Sequence, residues 1–336
     1  MFKKNLITSA INNNIQFATR NTIIELIEKK KLNIIRYKCP ISNNINNIVI
    51  SNIDRYGLPI QFSYNKDSGL IYSSKSFDKK SFFKFYNLYY RKLYHGKVSE
   101  GFFFQKEIKR GKRLKKFLLK NNINLNRNDF ILEVGCGSGG ILNEINHPNY
   151  LGIDLDRKLI NHGKKRGLNL KYCDLNNIDK FIKKKPRLII FSHVLEHIID
   201  VPVFFKKLKK IIGNNTLIYI EVPNSLNKLK TLKSKYINEL HLAHFTIFNK
   251  ETLKILLVKN QFSPLMIQNI DSNLSGLFRL NKSFKKYQKN NNLSTYNLLF
   301  KKKFVEIDKR VKKKYPFYEI KIFIKYFYLL LKSKIC

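Results

Sequence analysis

The sequence predicts an α/β fold, a mostly parallel sheet with helices on both faces, set between an irregular N-terminal module and a C-terminal extension. Three observations predict it. From Asp129 to about Asp271, short apolar runs alternate with helical segments. One run, Phe130–Val134, leads into Gly135, Gly137, Gly139 and Gly140, and then into a helix beginning near Ile141. Asp154 and Asp174 follow the next two runs, at the carboxyl ends of strands, where open α/β sheets bind ligands.

Residues 1–125 are rich in Asn and aromatics and lack long periodic segments. Phe82 to Tyr94 carries aromatics at helical spacing and reads as one helix with its aromatic face on a neighbour. Ile108 to Lys120 reads as a basic amphipathic helix with Leu114, Phe117 and Leu118 on one side. The Asn-rich stretch 121–128 reads as a boundary, so the expected modules are 1–125, 126–271 and 272–336. Strands are expected at Phe130–Val134, Tyr150–Ile153, Leu170–Tyr172, Leu188–Phe191 and Thr216–Val222.

The helix after the fourth strand has the clearest signature. Asp200 caps it, Pro202 sits in its first turn and Gly213 follows its end. Phe204, Phe205, Leu208, Ile211 and Ile212 share one face, opposite Lys206, Lys207, Lys209 and Lys210. A further helix is expected from about Lys250 to Lys259. The end, Ile320–Cys336, mixes apolar residues with Lys and reads as an element docked on the body, or one lying on a membrane surface.

Composition bounds the function. The 336 residues carry 65 Lys+Arg against 23 Asp+Glu, a net charge of +42, which raises a nucleic-acid partner as one reading. Lys, Asn and Ile all have A/T-rich codons, however, and the Lys runs are spread along the chain rather than interleaved with exposed aromatics. Most runs therefore read as solvated faces. A hydrophobic content of 43% excludes a disordered or collagen-like chain. Four scattered cysteines make no disulfide framework and no uncharged apolar run of about 18 residues exists, so the expected location is cytoplasmic.

The glycine loop carries the strongest chemical signal. Glycines are needed where a strand turns sharply and a ligand must approach the backbone. Asp154 lies at the end of the second strand, where a carboxylate accepts from both hydroxyls of a ribose. Asp174 ends the third strand, where a side chain meets an adenine edge, and Ser192 and His193 end the fourth. Each alone is ambiguous, because an Asp at a strand end is often only a helix cap. The ordered set is specific.

Glu133-Val-Gly-Cys-Gly-Ser-Gly139 resembles the first motif of class I S-adenosylmethionine-dependent methyltransferases, and Gly152-Ile-Asp154 resembles their acidic second motif. Ser192–His197 with Glu221–Asn224 is similar to a branch that methylates sugars and other small molecules. The resemblance spans roughly residues 129–265 and implies a Rossmann-like sheet with S-adenosyl-L-methionine as cofactor. It places Glu133, Gly135, Cys136, Gly137, Gly139, Asp154, Leu155, Asp174, Leu175 and Ser192 at that cofactor. The implied acceptor is a sugar, a nucleotide-sugar or a related metabolite.

Tyr37–Pro40, Asp54–Leu58 and Ser68–Ile71 follow the outline of a small zinc-binding segment that precedes the catalytic domain in that branch. Cys39 is the only cysteine there, with Ser42 where a partner falls and Asn65 and Ser68 near the second pair. One thiolate does not make a tetrahedral zinc site, so a metal-free remnant is expected. His193-Val-Leu-Glu-His197 also matches the H-x-x-E-H pattern of certain zinc peptidases. That chemistry needs one long helix, whereas His193 directly follows a strand, so no metal is expected there.

Methyl transfer to oxygen or carbon needs a base, and His is the usual choice near neutral pH. The candidates are His193 and His197, beside the expected methyl pocket, and His241 and His244 after the fifth strand. For each the bland reading is a structural hydrogen bond. Glu221 and Asn224 are expected to shape the acceptor site. Two other readings stand beside the small-molecule enzyme: an RNA methyltransferase using the basic surface, and a cofactor-fold binding module without catalysis.

Overall fold

The computed structural model describes residues 10–174, 177–224 and 236–281. Leu175 and the segment Ile320–Cys336 lie outside the described residues. The chain divides into two compact units. One contains residues 10–97 and 236–252, and the other contains 98–223 and 253–281.

The second unit holds the expected α/β fold. Its strands are β5 (Ile131–Val134), β6 (Tyr150–Asp154), β7 (Leu170–Tyr172), β8 (Leu188–Ser192), β9 (Leu217–Pro223), β11 (Phe262–Ile270) and β12 (Asn273–Leu280). They run across the sheet in the order β11-β12-β9-β8-β5-β6-β7. The five from β9 to β7 are parallel, and β12 runs antiparallel to both β9 and β11. The central strands are buried end to end, as apolar runs in a sheet covered on both faces should be.

Register decides which side chains meet at the carboxyl edge. Glu133 on β5 is level with Gly152 on β6 and Ile190 on β8. Ser192, at the end of β8, is level with Glu221 on β9, and Glu221 is level with Ser275 on β12. The helices are α4 (Glu100–Lys120), α5 (Gly140–Ile145), α6 (Arg157–Lys164), α7 (Val201–Ile211) and α8 (Lys250–Lys259). Ser99, Asp156 and Asp200 cap α4, α6 and α7, each side chain accepting from a first-turn amide. Leu114, Phe117 and Leu118 of α4 join Ile131, Leu188, Ile190, Leu217, Tyr219 and Leu277 in one core. Burying each large apolar side chain contributes about 1.5–3 kcal/mol.

The structure divides the chain elsewhere than the Asn-rich stretch suggests. Helix α4 belongs with the parallel sheet, because its apolar stripe packs on that sheet's strands. The sheet also runs past Asp271. A two-residue turn at Asp271 (φ +52°) and Ser272 joins β11 to β12, a hairpin the sequence reading does not contain.

The first unit is also more regular than its composition suggests. Strands β1 (Ile34–Arg36), β2 (Asn47–Ser51), β3 (Gln61–Asn65) and β4 (Ile71–Phe77) form an antiparallel sheet in the order β1-β4-β3-β2, with β10 (Thr246–Ile247) also paired to β4. Helix α1 (Asn14–Glu28) is capped by Asn13. The stretch Phe82–Tyr94 is two helices rather than one, α2 (Lys79–Leu88) and α3 (Tyr90–His95). Tyr89 at φ −121°, ψ −26° leaves the helical region and breaks them. The aromatic face survives the break. The Tyr86 and Tyr90 rings stack at 4.6 Å and 17°, and Tyr90 meets Tyr94 at 4.8 Å.

Candidate active site

The glycine loop follows β5 with Gly135 at φ +72°, Gly137 at +57° and Gly139 at +83°, left-handed conformations that favour glycine. The space a side chain would need is taken up by the protein itself. A Cβ on Gly135 would lie 2.5 Å from Val194 Cγ2, and one on Gly137 would lie 2.1 Å from Glu107 Oε1.

Asp154, at the end of β6, braces this loop. Its Oδ2 accepts from the Gly137 amide at 2.9 Å and its Oδ1 from the Asp156 amide at 2.7 Å. Burial pushes its carboxyl up, against those amide bonds. Glu133 is 1% exposed, and its Oε2 has no hydrogen-bond partner. Burial pushes the Glu133 carboxyl well above the usual range, and the charges of Glu107 and Asp154 add to the rise.

Glu107, on α4, is the residue sequence reasoning missed. Its carboxylate accepts from the Ser138 amide (3.2 and 3.1 Å to its two oxygens), the Ser138 hydroxyl (2.7 Å) and the Gly140 amide (3.0 Å). Burial pushes this carboxyl up as well, opposed by those donors. A signal was present. Phe104, Glu107, Gly111, Leu114 and Leu118 are all buried at helical spacing, so a carboxylate stands on the apolar stripe.

Other expected cofactor residues fall in different places. Cys136 has its backbone in the loop, but its thiol lies in the apolar core, 1% exposed. Asp174 caps the following turn, its Oδ1 accepting from the Asn177 amide at 3.0 Å and side-chain amide at 2.9 Å. Leu155 stands between Asp154 and Asp156 at the end of β6 and is partly buried.

A second cluster forms at the ends of β8 and β9. His193 adopts φ +58°, uncommon for a residue with a side chain. Its Nδ1 lies 3.3 Å from Glu196 Oε1 and its Nε2 lies 3.3 Å from Glu221 Oε1, and both carboxylates are 1% exposed. Arg113 Nη2 of α4 donates to Glu221 Oε1 at 3.1 Å and the Ser192 hydroxyl donates to the same oxygen at 3.3 Å. The Tyr219 hydroxyl donates to Glu221 Oε2 at 3.1 Å. Burial pushes the Glu221 carboxyl up, but the His193 hydrogen bond and the charges of His193, Arg113 and Arg110 outweigh it and leave it at about 2. Glu196 is lowered in the same way, burial being overcome by His193 and His197. His197 ends the short 3₁₀ turn Leu195–His197.

The other two histidines belong to the first unit. The His241 and His244 rings lie 3.5 Å apart, His241 is 7% exposed, and the Tyr94 ring is 5.0 Å from His241. The candidate bases therefore divide between the two units, two in each.

In the first unit the four positions expected to mark a degenerate metal segment do converge. Cys39 Sγ lies 3.1 Å from Ser68 Oγ, and both the Ser42 and Ser68 hydroxyls donate to Asn65 Oδ1 at 2.9 Å. Asn65 Nδ2 donates to Asn44 Oδ1 at 2.9 Å and to Asn47 Oδ1 at 3.0 Å. Hydrogen bonds among neutral groups hold this knot.

Residues 104–266 match the model of a methyltransferase domain family. The chain is 30% identical over 128 residues to a ubiquinone biosynthesis O-methyltransferase of Pelagibacter ubique (strain HTCC1062). That match covers 36% of this chain and 51% of the relative, so the chain spans about half the length of the curated relative it matches. Among solved structures, a protein from Pyrococcus horikoshii OT3 superposes with a TM-score of 0.42 at 14% identity, over 52% of this chain and 90% of that one. An S-adenosylmethionine-dependent methyltransferase from Clostridium acetobutylicum ATCC 824 does so at 0.40 and 15%, over 57% and 96%. Among the described residues, no helix is long and apolar enough to cross a membrane.

Proposed function

We propose that this chain transfers the methyl group of S-adenosylmethionine to a small-molecule acceptor, a sugar or nucleotide-sugar in the first instance. The observation that carries the reading is the left-handed glycine loop after β5, braced by Asp154 and flanked by the unpartnered Glu133 Oε2. The charge of Asp154 raises the Glu107 carboxyl, and the charges of Glu107 and Asp154 raise that of Glu133, a concentration of negative charge that suits a ligand with a cationic end. The match of residues 104–266, which include this loop, to a methyltransferase domain family supports it.

The cofactor supplies a methyl group on a sulfonium centre, open to in-line displacement, so the protein's task is mainly alignment. Asp154 fits the ribose. Its oxygens accept the Gly137 and Asp156 amides, and a carboxylate has about four lone-pair sites, so acceptor capacity is left for a ribose hydroxyl. Glu133 offers its free oxygen to the ammonium end, and Asp174 with Leu175 is assigned to the adenine.

His193 is assigned to positioning. Both its ring nitrogens face buried carboxylates, so neither is left to take a proton from an acceptor. Proton removal is assigned to one of the other candidates, His197, His241 or His244. The sugar assignment rests on the resemblance of residues 192–197 and 221–224, together with the convergence of Cys39, Ser42, Asn65 and Ser68.

Titration calorimetry with S-adenosylmethionine tests the cofactor, and radiolabelled methyl transfer into panels of nucleotide-sugars and of phenols tests the acceptor. Binding by the wild type that is lost in Asp154→Ala, with label entering the sugar panel, is the expected result. Label in the phenols alone keeps the enzyme and overturns the sugar. No cofactor binding overturns the whole reading.

A further inference from the structure

Helix α4 approaches the glycine loop closely enough to dictate its shape. Besides the clash at Gly137, a Cβ on Gly140 would lie 2.5 Å from the Phe104 carbonyl oxygen and 2.7 Å from Glu107 Cβ. One on Gly111 would lie 2.6 Å from Glu144 Cβ, so helices α4 and α5 are also in backbone-close contact. Two of the loop's glycines are thus required by a neighbouring helix whether or not a ligand is bound.

Glu107 supplies the bonds that hold this contact. It is 8% exposed and takes three donors from two residues of the loop and the first turn of α5. Ser138, which gives two of them, is wholly buried, so water does not replace the carboxylate if it is lost. Hydrogen bonds to an ionised acceptor are the strong ones, and three on one carboxylate fix its position and that of its donors. The opposite edge of the loop is held by Asp154 at the Gly137 amide. The loop is therefore clamped between two carboxylates, from α4 and from β6.

We propose that Glu107 is a positioning residue for the cofactor, holding the 135–140 loop in its binding conformation from behind while Asp154 holds it in front. The proposal rests on the cofactor reading above. It predicts that affinity for the cofactor depends on a side chain that does not need to touch it.

The test is calorimetric affinity for S-adenosylmethionine, paired with hydrogen exchange of the 135–140 segment and with the melting temperature. Glu107→Gln puts an amide N–H against donors, and the expected result is about tenfold weaker binding with faster exchange confined to residues 135–140. Ser138→Ala removes only the hydroxyl bond and is expected to weaken binding about threefold. It reads the same clamp if Glu107→Gln does not fold. Leu114→Ala is the control: it loosens α4 away from the loop, lowers the melting temperature and leaves affinity within about twofold. Affinity in Glu107→Gln and Ser138→Ala within twofold of wild type overturns the proposal. So does an equal loss in Leu114→Ala, which makes the role merely structural. Absence of binding by the wild type overturns the cofactor reading instead.

Discussion

Two tight polar assemblies, one in each unit, differ in a single respect. In the antiparallel unit, Asn65 spends both ends of its amide. Oδ1 accepts from Ser42, from the Ser68 hydroxyl and from the Ser68 amide, and Nδ2 donates to Asn44 and Asn47. In the parallel unit, Glu133 is as deeply buried, yet one carboxylate oxygen stays unpaired. A buried polar group left unpaired costs about 1–3 kcal/mol, more when charged. Asn65 has spent its hydrogen-bonding capacity within the protein, and Glu133 has not. On the proposed cofactor reading, that unspent capacity, rather than the density of polar residues, sets the loop's surroundings apart from the knot.

The largest test of this contrast is Gly137→Val. A side chain at φ +57°, aimed at Glu107 Oε1, should weaken S-adenosylmethionine binding at least about 100-fold by calorimetry, on the order of 3 kcal/mol. Retained far-ultraviolet circular dichroism would show that the fold survives.

Acid titration should then move the two units in opposite directions. Glu221 sits at about 2, below its usual 4.5, so its contribution is present above about pH 4.5 and lost as the pH falls toward 2. That contribution is about 3 kcal/mol, and Glu221→Gln should flatten the acid limb of a urea-stability profile. Asp54, in the antiparallel unit, accepts from the Tyr56, Leu58 and Leu242 amides, yet burial raises it to about 6. Its sign is reversed. The folded state holds its proton more tightly between about pH 4 and 6, so stability falls as the pH rises through that window, again by about 3 kcal/mol. Asp54→Asn should remove this second slope and leave the first.

Asn65→Ala comes next. It strands the Ser68 amide and several side-chain groups, for a loss of about 2 kcal/mol in urea unfolding and no change in cofactor affinity. A change in affinity comparable to that of Gly137→Val would end the distinction between the knot and the loop. The smallest expected effect is none. Prolonged chelation should shift the melting temperature by less than about 1 °C, because neutral hydrogen bonds among Cys39, Ser42, Asn65 and Ser68 already hold the segment.

The parallel strands were legible because they are short, mainly apolar runs, closed by a glycine at Val134-Gly135 and by a carboxylate at Ile153-Asp154. The antiparallel strands were not. They are two to seven residues long, and β4, with Ser73, Ser74 and Ser76 buried, has almost no polar-apolar contrast. The β11–β12 hairpin hid for a related reason, since the bulge between Pro264 and Met266 breaks its alternation. The loop glycines and Asp154 were found by spacing along the chain. Glu107 lies 31 residues before Ser138, and only its place on an apolar helical stripe marked it. For His193 the sequence supplied the residue but not its surroundings, which come from Glu196 three residues on and from Glu221 a strand away.

Helix α4 has a consequence for how such a unit is inherited. It reaches the end of β5 through Glu107 and the end of β9 through Arg113, six residues further along the same helix. A recombination joint placed in the Asn-rich stretch after Lys120 would transmit every strand of the parallel sheet and every glycine of the loop. It would leave behind the parts that brace both. The heritable module therefore begins near Ser99, upstream of its first strand, and a lineage that exchanges residues 10–97 must place its joint on the far side of that serine.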